Sequence, residues 1–442
     1  MKIRTKTLFI LIIILFIAKS IVHLSLPMIA IKQGMDDAHV RIMMAGRGII
    51  LFFGVWQPFH FILLNQLYRI SKEIYFAPRI FAILQNFILL ILIFFVAKKQ
   101  TKNKNIAIIS SFLFLILPFF SIYTTFPITE LLFNIFLLLG LLFFMEDDKH
   151  FWLSLIFFNL AHTIRFESWY LYPILLFFVI KKVGFKRSMV YSFLYFLYPI
   201  FYLYINYVKI SSFIYPVSDF LAQTSPQFEG YNVMTVFNLL TKFIFIFGPN
   251  LIFIIFLFFD KKKTKCAINF YMSLFLLLIL SIINTVAKVK DWLPDQHFYT
   301  SYLLFLPIIA EGIFFFLKKF KTKLVLFLLL FLYIFWFIRD DYFFVFKKNN
   351  LKPPEISSVI KNIQGKEYIW VYGKDYFPYD VDSVMYFTNK LNYVLLDEDE
   401  FLKKYPKEKI RGTIVIYDKI NPLYGKCYFY YKNDRFKICN YF

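Results

Sequence analysis

The chain has 442 residues, of which 60% are hydrophobic and 22% aromatic. A soluble fold cannot bury that much apolar surface, so the composition excludes a purely soluble protein and places most of the chain in lipid. The formal net charge is +22, but the basic residues lie in short clusters between apolar runs. This pattern follows the positive-inside rule and argues against a nucleic-acid partner. The lysine-rich clusters lie at 98–104, 181–187, 261–265 and 318–323.

The apolar runs predict about 11 transmembrane helices, some of them short. In chain order the runs lie near 7–28, 80–97, 105–122, 129–145, 151–164, 168–180, 188–208, 243–259, 266–286, 299–317 and 324–338. With a cytoplasmic N-terminus, this order places all four lysine clusters on the cytoplasmic side. We therefore predict a multi-pass protein of the cytoplasmic (inner) membrane, with 1–338 as its transmembrane domain. The first run is interpreted as a retained span and not as a cleaved signal peptide.

The first outer loop is long in this topology and covers about residues 31–78. It contains an apolar stretch, 49–67, which includes Trp56, Gln57 and His60. Counting this stretch as a span would move the first lysine cluster to the outside. We therefore predict a helix that lies in the outer interface, with Trp56 at headgroup depth.

The composition changes from Pro353 onward, where short apolar strands alternate with helical segments. The predicted strands are 369–372, 393–396 and 413–417, the predicted helices are 354–363 and 381–389, and the segments 427–431 and 436–441 form a closing hairpin. This pattern predicts a small soluble α/β domain over 339–442, outside the cytoplasm. Three cysteines exclude a disulfide scaffold and a cysteine-built zinc site. A disulfide between Cys427 and Cys439 is left open.

Ionisable residues near membrane depth are candidates for function because they are costly to place there. Asp36 and Asp37 follow the first span, and adjacent carboxylates can act as a general base with an orienting partner, or bind a metal. The alternative is that they only cap a helix. Glu130 opens the fourth span, where capping is again the structural alternative.

Two further groups carry cations. Arg165 and Glu167 lie where two short spans meet, and a simple ion pair between them is the structural alternative. Lys288, Lys290 and His297 precede the tenth span, where they can serve as an interfacial anchor. In the predicted topology all four groups lie on the outer face. Carboxylates that activate an acceptor and cations that hold a phosphate are what sugar transfer from a lipid phosphate requires.

At these residues the chain resembles the GT-C glycosyltransferases, membrane enzymes that use polyprenyl- or dolichyl-phosphate sugars. Bacterial aminoarabinose transferases and protein O-mannosyltransferases are examples. The similar segments are the Asp36-Asp37-Ala38 motif with the helix around 56–60, the acidic start of the fourth span at 129–133, the Thr-Ile-Arg-Phe-Glu turn at 163–167, and the segment from His297 to Pro307. The chain departs from the family at His297, where an arginine is usual, and at Gln57, where a basic residue is common. It has no Trp-Trp-Asp motif, which argues against a sequon-recognising oligosaccharyltransferase.

The resemblance covers residues 1 to about 338 and implies an all-α, GT-C-like membrane domain. It implies transfer of one sugar, with inversion, from a polyprenyl-phosphate donor to a lipid, glycan or protein acceptor outside the cytoplasm. Asp36 would be the general base, oriented by Asp37. The donor-phosphate group would be Arg165, His297, Lys288 and Lys290. The candidates for substrate contact or for a divalent cation are Glu130, Glu167 and His60; no cofactor is required by this scheme.

Two alternatives stay open. A polysaccharide polymerase or ligase that uses diphosphate-linked oligosaccharides needs a larger, arginine-rich outer loop, and 209–242 contains no arginine. A transporter or flippase for lipid-linked sugars needs charges at mid-span. The runs 80–97, 243–259 and 324–338 carry no charge, although Lys19 and Glu311 lie within other runs.

Overall fold

The structure, a computed structural model, describes most of the chain in separate stretches. These are residues 5–25, 36–48, 57–116, 127–146, 148–213, 250–259, 265–286, 295–319, 368–372, 393–405, 413–418, 422–424, 428–432 and 436–441. The chain divides into two compact units. We call Met1–Met28, Ile50–Leu63 and Arg79–Lys348 the helical unit, and Ile29–Ile49, Leu64–Pro78 and Asn349–Phe442 the mixed unit.

Helices occupy most of the described residues of ten of the eleven apolar runs, and the run 324–338 lies outside the described residues. In chain order the helices before the tail are α1 (Thr5–Ser25), α2 (Asp36–Gly46), α3 (Pro58–Ser71), α4 (Phe76–Thr101), α5 (Lys104–Leu115), α6 (Thr129–Phe144), α7 (Asp148–Phe151), α8 (Leu153–His162), α9 (Glu167–Tyr170), α10 (Tyr172–Tyr195), α11 (Leu197–Ile210), α12 (Asn250–Phe259), α13 (Ala267–Val286) and α14 (Asp295–Lys319).

Within the described residues, four helical stretches are long and apolar enough to cross a membrane: Thr7–Leu24, Phe76–Thr101, Tyr172–Ile210 and Tyr299–Lys319. Other apolar helices are shorter, such as α6 and α8. Membrane helices of this composition confirm a membrane protein, whereas the number of eleven spans stays a prediction. The outer-loop segment predicted at 49–67 coincides with α3 from Pro58 onward, and 49–56 lie outside the described residues.

The long stretch from Tyr172 to Ile210 is a helical hairpin. In one continuous helix, Tyr172 and Ser192 would be about 30 Å apart, yet the Tyr172 hydroxyl donates a hydrogen bond to Ser192. The ring centroids of Tyr172 and Tyr195 are 4.5 Å apart. The chain therefore reverses at Gly184, whose φ of 80° is readily adopted only without a Cβ. This turn carries the second lysine cluster and separates the two runs predicted as individual spans.

Glycines allow two pairs of helices in the helical unit to approach closely. A Cβ at Gly140 would lie 2.6 Å from the Phe158 ring, where α6 packs against α8. A Cβ at Gly312 would lie 2.5 Å from the Phe253 carbonyl oxygen, where α14 packs against α12. Close packing of this kind holds helices together in lipid, where the hydrophobic effect contributes little between them. Because α14 also contacts α5, α6 and α13, it is a central helix of the unit.

The tail contributes a five-stranded mixed sheet. Its elements are β1 (Tyr368–Tyr372), β2 (Tyr393–Asp397), α15 (Glu398–Lys404), β3 (Thr413–Asp418), β4 (Tyr428–Lys432) and β5 (Phe436–Tyr441). The strand order is β2-β1-β3-β5-β4. β1 is parallel to β2 and β3, and β5 is antiparallel to β3 and β4. The predicted strands and the closing hairpin are therefore confirmed, while the helices predicted at 354–363 and 381–389 lie outside the described residues.

Helix α15 was not among the predicted elements, although its sequence carries a local signal. The Asp397 side chain caps the helix by accepting a hydrogen bond from the Glu400 N–H at 2.8 Å. Acidic residues fill the first turn and lysines the last turn, as the helix dipole favours. Phe401 from this helix enters the sheet core with Ile369, Val371, Leu396, Val415, Tyr417 and Cys439. Cys439 is disulfide-bonded, whereas the buried Cys266 is not part of a disulfide; Cys427 lies outside the described residues.

The mixed unit joins the first-loop helix α2 to the tail. The Arg47 guanidinium lies 3.9 Å from the centroid of the Tyr393 ring in β2, a cation–π contact. The Asn65 amide of α3 donates a hydrogen bond to the Ala45 carbonyl at the end of α2. Segments assigned by sequence to the first outer loop and to the tail domain therefore form one compact body. The domain boundary between 338 and 339 stays a prediction.

Candidate functional site

The candidate site in the helical unit begins at the first turn of α6. Thr129 and Glu130 are both buried there, and the Thr129 hydroxyl donates to the Glu130 carboxylate at 3.1 Å. A carboxylate in the first helical turn is favoured by the helix dipole. Helix-end electrostatics alone does not balance a buried negative charge, so Glu130 needs a cationic partner.

That partner is Arg165, in the turn between α8 and α9. Its guanidinium forms ion pairs with both Glu130 and Glu167. Its Nε donates to Glu167 at 2.9 Å, and its Nη1 donates to the Thr129 hydroxyl at 3.1 Å. The Arg165 side chain is 11% exposed and that of Glu130 only 1%. Two carboxylates thus share one guanidinium, so with both ionised these three side chains carry an excess negative charge.

Side chains of neighbouring helices fix the turn that carries Arg165. The His162 Nδ1 lies 2.6 Å from the Ser168 hydroxyl, and this hydroxyl donates to the Arg165 carbonyl at 2.9 Å. The Tyr195 hydroxyl of α10 donates to the Ser168 carbonyl. Arg165 therefore extends from a turn whose backbone is bonded to α8, α9 and α10. Such bonding limits how far the guanidinium can move.

The start of α14 lies beside the first turn of α6. The Asn134 amide donates to the Thr300 hydroxyl at 3.1 Å and to the Glu130 carbonyl at 2.7 Å. The backbone of His297 lies in the first turn of α14, but its side chain lies outside the described residues. Lys288 and Lys290 lie entirely outside them. The structure thus brings the helix that contains His297, and that follows Lys288 and Lys290 in the chain, next to the first turn of α6.

The start of α3 is attached to the same turn. The Phe59 N–H donates to the Thr163 carbonyl at 3.2 Å, and the Tyr198 hydroxyl donates to the Gln57 side chain at 2.8 Å. His60 follows directly and is fully buried. Among the described residues, no three His, Cys, Asp or Glu side chains are grouped to hold a metal ion. A divalent cation at His60, Glu130 or Glu167 therefore stays a prediction, and we assign it no step.

Asp36 and Asp37 are the first two residues of α2, in the mixed unit. Their backbone is helical, and their side chains lie outside the described residues. Both carboxylates therefore belong to a first helical turn, where the dipole favours them. The capping alternative and the catalytic hypothesis both remain compatible with this position.

Sequence reasoning missed the Glu130–Arg165 pair. It considered Glu167 as the only structural partner of Arg165, because Glu167 is two positions away. Glu130 is 35 positions away, and no local pattern joins the two. A signal was nevertheless present, since both residues lie at outer ends of predicted spans and have opposite charge. Thr300, Ser168 and Tyr195, which hold the cluster in place, gave no signal of their own.

No protein-family model and no curated protein sequence matches this chain. Solved structures do match it. ArnT from Cupriavidus metallidurans in the apo state has a TM-score of 0.64 at 12% identity, over 97% of both chains. ArnT from the same organism bound to undecaprenyl phosphate has a TM-score of 0.63 at 11% identity, again over 97% of both chains. The archaeal oligosaccharyltransferase AglB from Archaeoglobus fulgidus, in complex with an inhibitory peptide and a dolichol-phosphate, has a TM-score of 0.51 at 10% identity, over 92% of this chain and 69% of AglB. The GT-C resemblance is therefore confirmed at the level of the fold.

Proposed function

We propose that this chain, which has the GT-C fold, transfers a sugar from a polyprenyl-phosphate donor to an acceptor at the outer face of the cytoplasmic membrane. The observation that supports this most is the match over 97% of both chains to ArnT bound to undecaprenyl phosphate. At 11% identity this match concerns the fold. The chemistry must therefore be argued from the charged residues of this chain.

The proposed reaction is a single displacement with inversion. Asp36 accepts the proton of the acceptor hydroxyl while the acceptor oxygen bonds to the anomeric carbon of the sugar. The bond between that carbon and the phosphate oxygen breaks, and the polyprenyl phosphate leaves with the electron pair. Asp37 orients Asp36 or the acceptor. A correctly placed general base contributes a factor of roughly 10²–10⁴ in rate.

The role of Arg165 in this proposal includes an exchange of partners. Nε, Nη1 and Nη2 of Arg165 all contact carboxylates, so a phosphate that binds in a bidentate manner replaces one of them in this proposal. Glu167 is the partner that exchanges, because its side chain is 16% exposed and that of Glu130 is 1% exposed. Since two carboxylates repel a phosphate, further cations are needed. In this proposal Lys288 and Lys290, which precede α14, and His297, in its first turn, supply them.

The segments that make up the mixed unit support the predicted topology. The unit contains both α2 and the tail sheet, which supports a position of both on the same side of the membrane. In this proposal the tail therefore lies outside the cytoplasm together with Asp36. The lysine clusters lie at the opposite ends of the predicted spans, and the positive-inside rule favours a cytoplasmic position for those ends.

The test is transfer of label in membranes that contain the full chain and labelled polyprenyl-phosphate sugars. We expect Asp36→Asn to lower turnover at least a hundredfold with an unchanged protein level, because it removes the proton acceptor but keeps the shape. Glu400→Gln, an exposed carboxylate of α15 in the same unit, is the matched control. An Asp36→Asn variant with more than about a tenth of normal turnover would exclude this role. Label that crosses the bilayer still attached to lipid would indicate a transporter, and label in long polymers a polymerase.

The exchange at Arg165 has its own kinetic test. Arg165→Lys should raise the apparent KM for the donor and lower turnover, because lysine cannot form the bidentate contact. Glu167→Gln should lower the donor KM, because it removes a negative group that competes with the phosphate. If Glu167→Gln instead raises the donor KM and Arg165→Lys leaves it unchanged, the phosphate role of Arg165 is wrong.

A further inference from the structure

Three of the lysine clusters meet in one pocket of the helical unit. The pocket lies where α4, α6 and the first arm of α10 end and where α13 begins, and its volume is about 440 Å³. The lysines that line it are Lys99, Lys102, Lys181, Lys182 and Lys265. The rest of its wall is mostly apolar and consists of Phe144, Met145, Phe178, Ala267 and Ile268, with Gln100. The pocket thus combines several positive charges with an apolar surface.

Two of these lysines are explained by contacts within the fold. Lys99 forms an ion pair with Glu146 at 2.7 Å. Lys182 donates to the Phe144 carbonyl at 2.6 Å and to the Glu146 carbonyl, and it lies 4.7 Å from the centroid of the Phe151 ring. These bonds satisfy carbonyls at the end of α6, where a cation is favoured. Lys99 and Lys182 therefore need no ligand to account for their positions.

The other three lysines are exposed, and their ammonium groups donate no hydrogen bond to another described residue. Lys181 lies over the Phe177 ring, 4.1 Å from its centroid. Among the described side chains, the carboxylates that contact residues of the pocket wall are Glu146 and the buried Glu311, which accepts from the Lys265 backbone N–H at 3.2 Å. Within the part of the chain that the structure describes, five ammonium groups therefore line the pocket and no carboxylate does. An anion in the pocket would relieve the repulsion among these cations.

The backbone conformation at Lys102 decides which substitution can test its role. Lys102 follows the last residue of α4 with a φ of 55°, in the left-handed region that a Cβ disfavours. Glycine or asparagine is the usual residue at this position after a helix. Lys72 has the same conformation after α3, with a φ of 56°, so the positive φ by itself does not indicate a ligand. Lys102 enters the argument only because its side chain lines the pocket.

We infer that this pocket binds the phosphate headgroup of an anionic phospholipid from the surrounding membrane. The positive charges of the lysines complement the negative phosphate. The apolar wall can contact the acyl chains where they join the headgroup. Free phosphate would gain nothing from contact with Phe144, Met145 or Phe178. Basic pockets between transmembrane helices on the cytoplasmic side suit anionic headgroups, and these lysines belong to clusters for which that side is predicted. The inference does not depend on the proposed transferase activity.

The first experiment uses the purified full chain in an uncharged detergent. Dioleoyl phosphatidylglycerol, dioleoyl phosphatidylcholine and inorganic phosphate are added separately at equal concentration. Bound lipid is counted by native mass spectrometry, and the unfolding temperature is recorded. We expect phosphatidylglycerol alone to be retained and to raise the unfolding temperature. Equal stabilisation by phosphatidylcholine would overturn the charge argument, and equal stabilisation by inorganic phosphate would overturn the lipid assignment.

The second experiment locates the site with a matched pair of variants. Lys102→Asn with Lys181→Gln removes two pocket charges, and asparagine suits the positive φ at 102, so the variant is expected to fold. Each lysine near an anionic headgroup contributes about fivefold in affinity, so the pair should weaken phosphatidylglycerol binding roughly 30-fold. Lys104→Gln with Lys186→Gln removes two exposed lysines of the same clusters outside the pocket and should leave binding unchanged. Equal loss in both variants, or in neither, would show that the pocket is not the site.

Discussion

The charged residues at the two ends of α6 differ in burial and in pairing. This helix has 16 residues and is therefore about 24 Å long. At its first turn, Glu130 is buried and shares Arg165 with Glu167. At its last turn, Phe144 lines a pocket in which five lysines meet. A buried charge is removed from water, so a charged or polar group of the protein must replace the lost hydration. Exposed charges of one sign keep their hydration, and water and salt screen their repulsion.

The difference suggests how ionisable residues in a membrane protein can be interpreted. A charge buried at a helix end indicates a specific tertiary partner, and its removal should affect the fold. A cluster of exposed like charges indicates the orientation of the chain or an external ligand, and its removal should affect the fold little. The following variants test this contrast, in order of decreasing expected effect on stability.

The largest effect is expected for Arg165→Gln, which leaves two carboxylates in the buried cluster without their shared guanidinium. Breaking a buried ion pair in this way costs about 3–5 kcal/mol. Chemical unfolding in detergent, followed by tryptophan fluorescence, measures the change in the free energy of unfolding. Adding Glu130→Gln should restore more stability than adding Glu167→Gln, because Glu130 is the more deeply buried of the two. If the free energy of unfolding falls by less than about 1 kcal/mol, as for a surface substitution, the buried cluster does not differ from exposed charges in its effect on stability.

A smaller effect is expected for Gly140→Ala, which tests whether packing of α6 on α8 positions the paired charges. The added methyl group would lie 2.6 Å from the Phe158 ring, so α8 must shift or the ring must rotate. Overpacking of this kind costs about 2 kcal/mol. We expect donor KM to rise as well, since the Arg165 turn follows α8 directly. Phosphatidylglycerol binding should stay unchanged; if it changes as much as donor KM, the two ends of α6 are not independent.

Lys182 and Lys181 provide a contrast between adjacent residues in the lysine-lined pocket. Lys182→Met removes two hydrogen bonds to carbonyls at the end of α6. It should cost about 1.5 kcal/mol, the value for a single bond from a charged donor, because carbonyls at a helix end can bond to water instead. Lys181→Met removes an exposed ammonium and should change stability by less than about 0.5 kcal/mol. Thermal unfolding of both variants in one detergent measures the difference. Equal losses would show that Lys182 is not the structural member of the pair.

The smallest effect concerns the exposed pair of Lys99 and Glu146. The hydrogen bond from Lys99 holds the pKa of the Glu146 carboxyl below its ordinary value of 4.5. A carboxyl whose pKa is lower in the folded state stabilises the fold above its unfolded pKa, and this contribution is lost as the pH falls through the folded pKa. The stability difference between the wild type and Lys99→Met should therefore be constant above about pH 5 and shrink below it. Lys104→Met is the control, and a difference that grows with acid would contradict the assignment.

Much of the fold was predictable because the relevant signals are local. Hydropathy located α1, α4 and α14, since a helix that is long enough to cross a membrane must be apolar along its own length. Alternation of strand-forming segments located β1, β2 and β3. Helix α15 was missed because its seven residues are too few for a periodic pattern, although the Asp397 cap was visible. For the site, Glu130, Arg165 and Glu167 were predicted as candidates because charge at membrane depth is costly.

The sequence by itself determined which segments are apolar enough to enter a membrane, that the chain turns between the runs 168–180 and 188–208, and which residues bear charge near the predicted interface. Those properties depend on the transfer of each residue between water and lipid, which is independent of distant residues. Only the tertiary structure decided that Arg165 is shared by Glu130 and Glu167, and that lysines from three clusters line one pocket. It also placed α2 in the same compact unit as the tail sheet. Partners of this kind are selected by which helices and strands pack together, and packing depends on the shape of surfaces that are assembled from residues far apart in the chain.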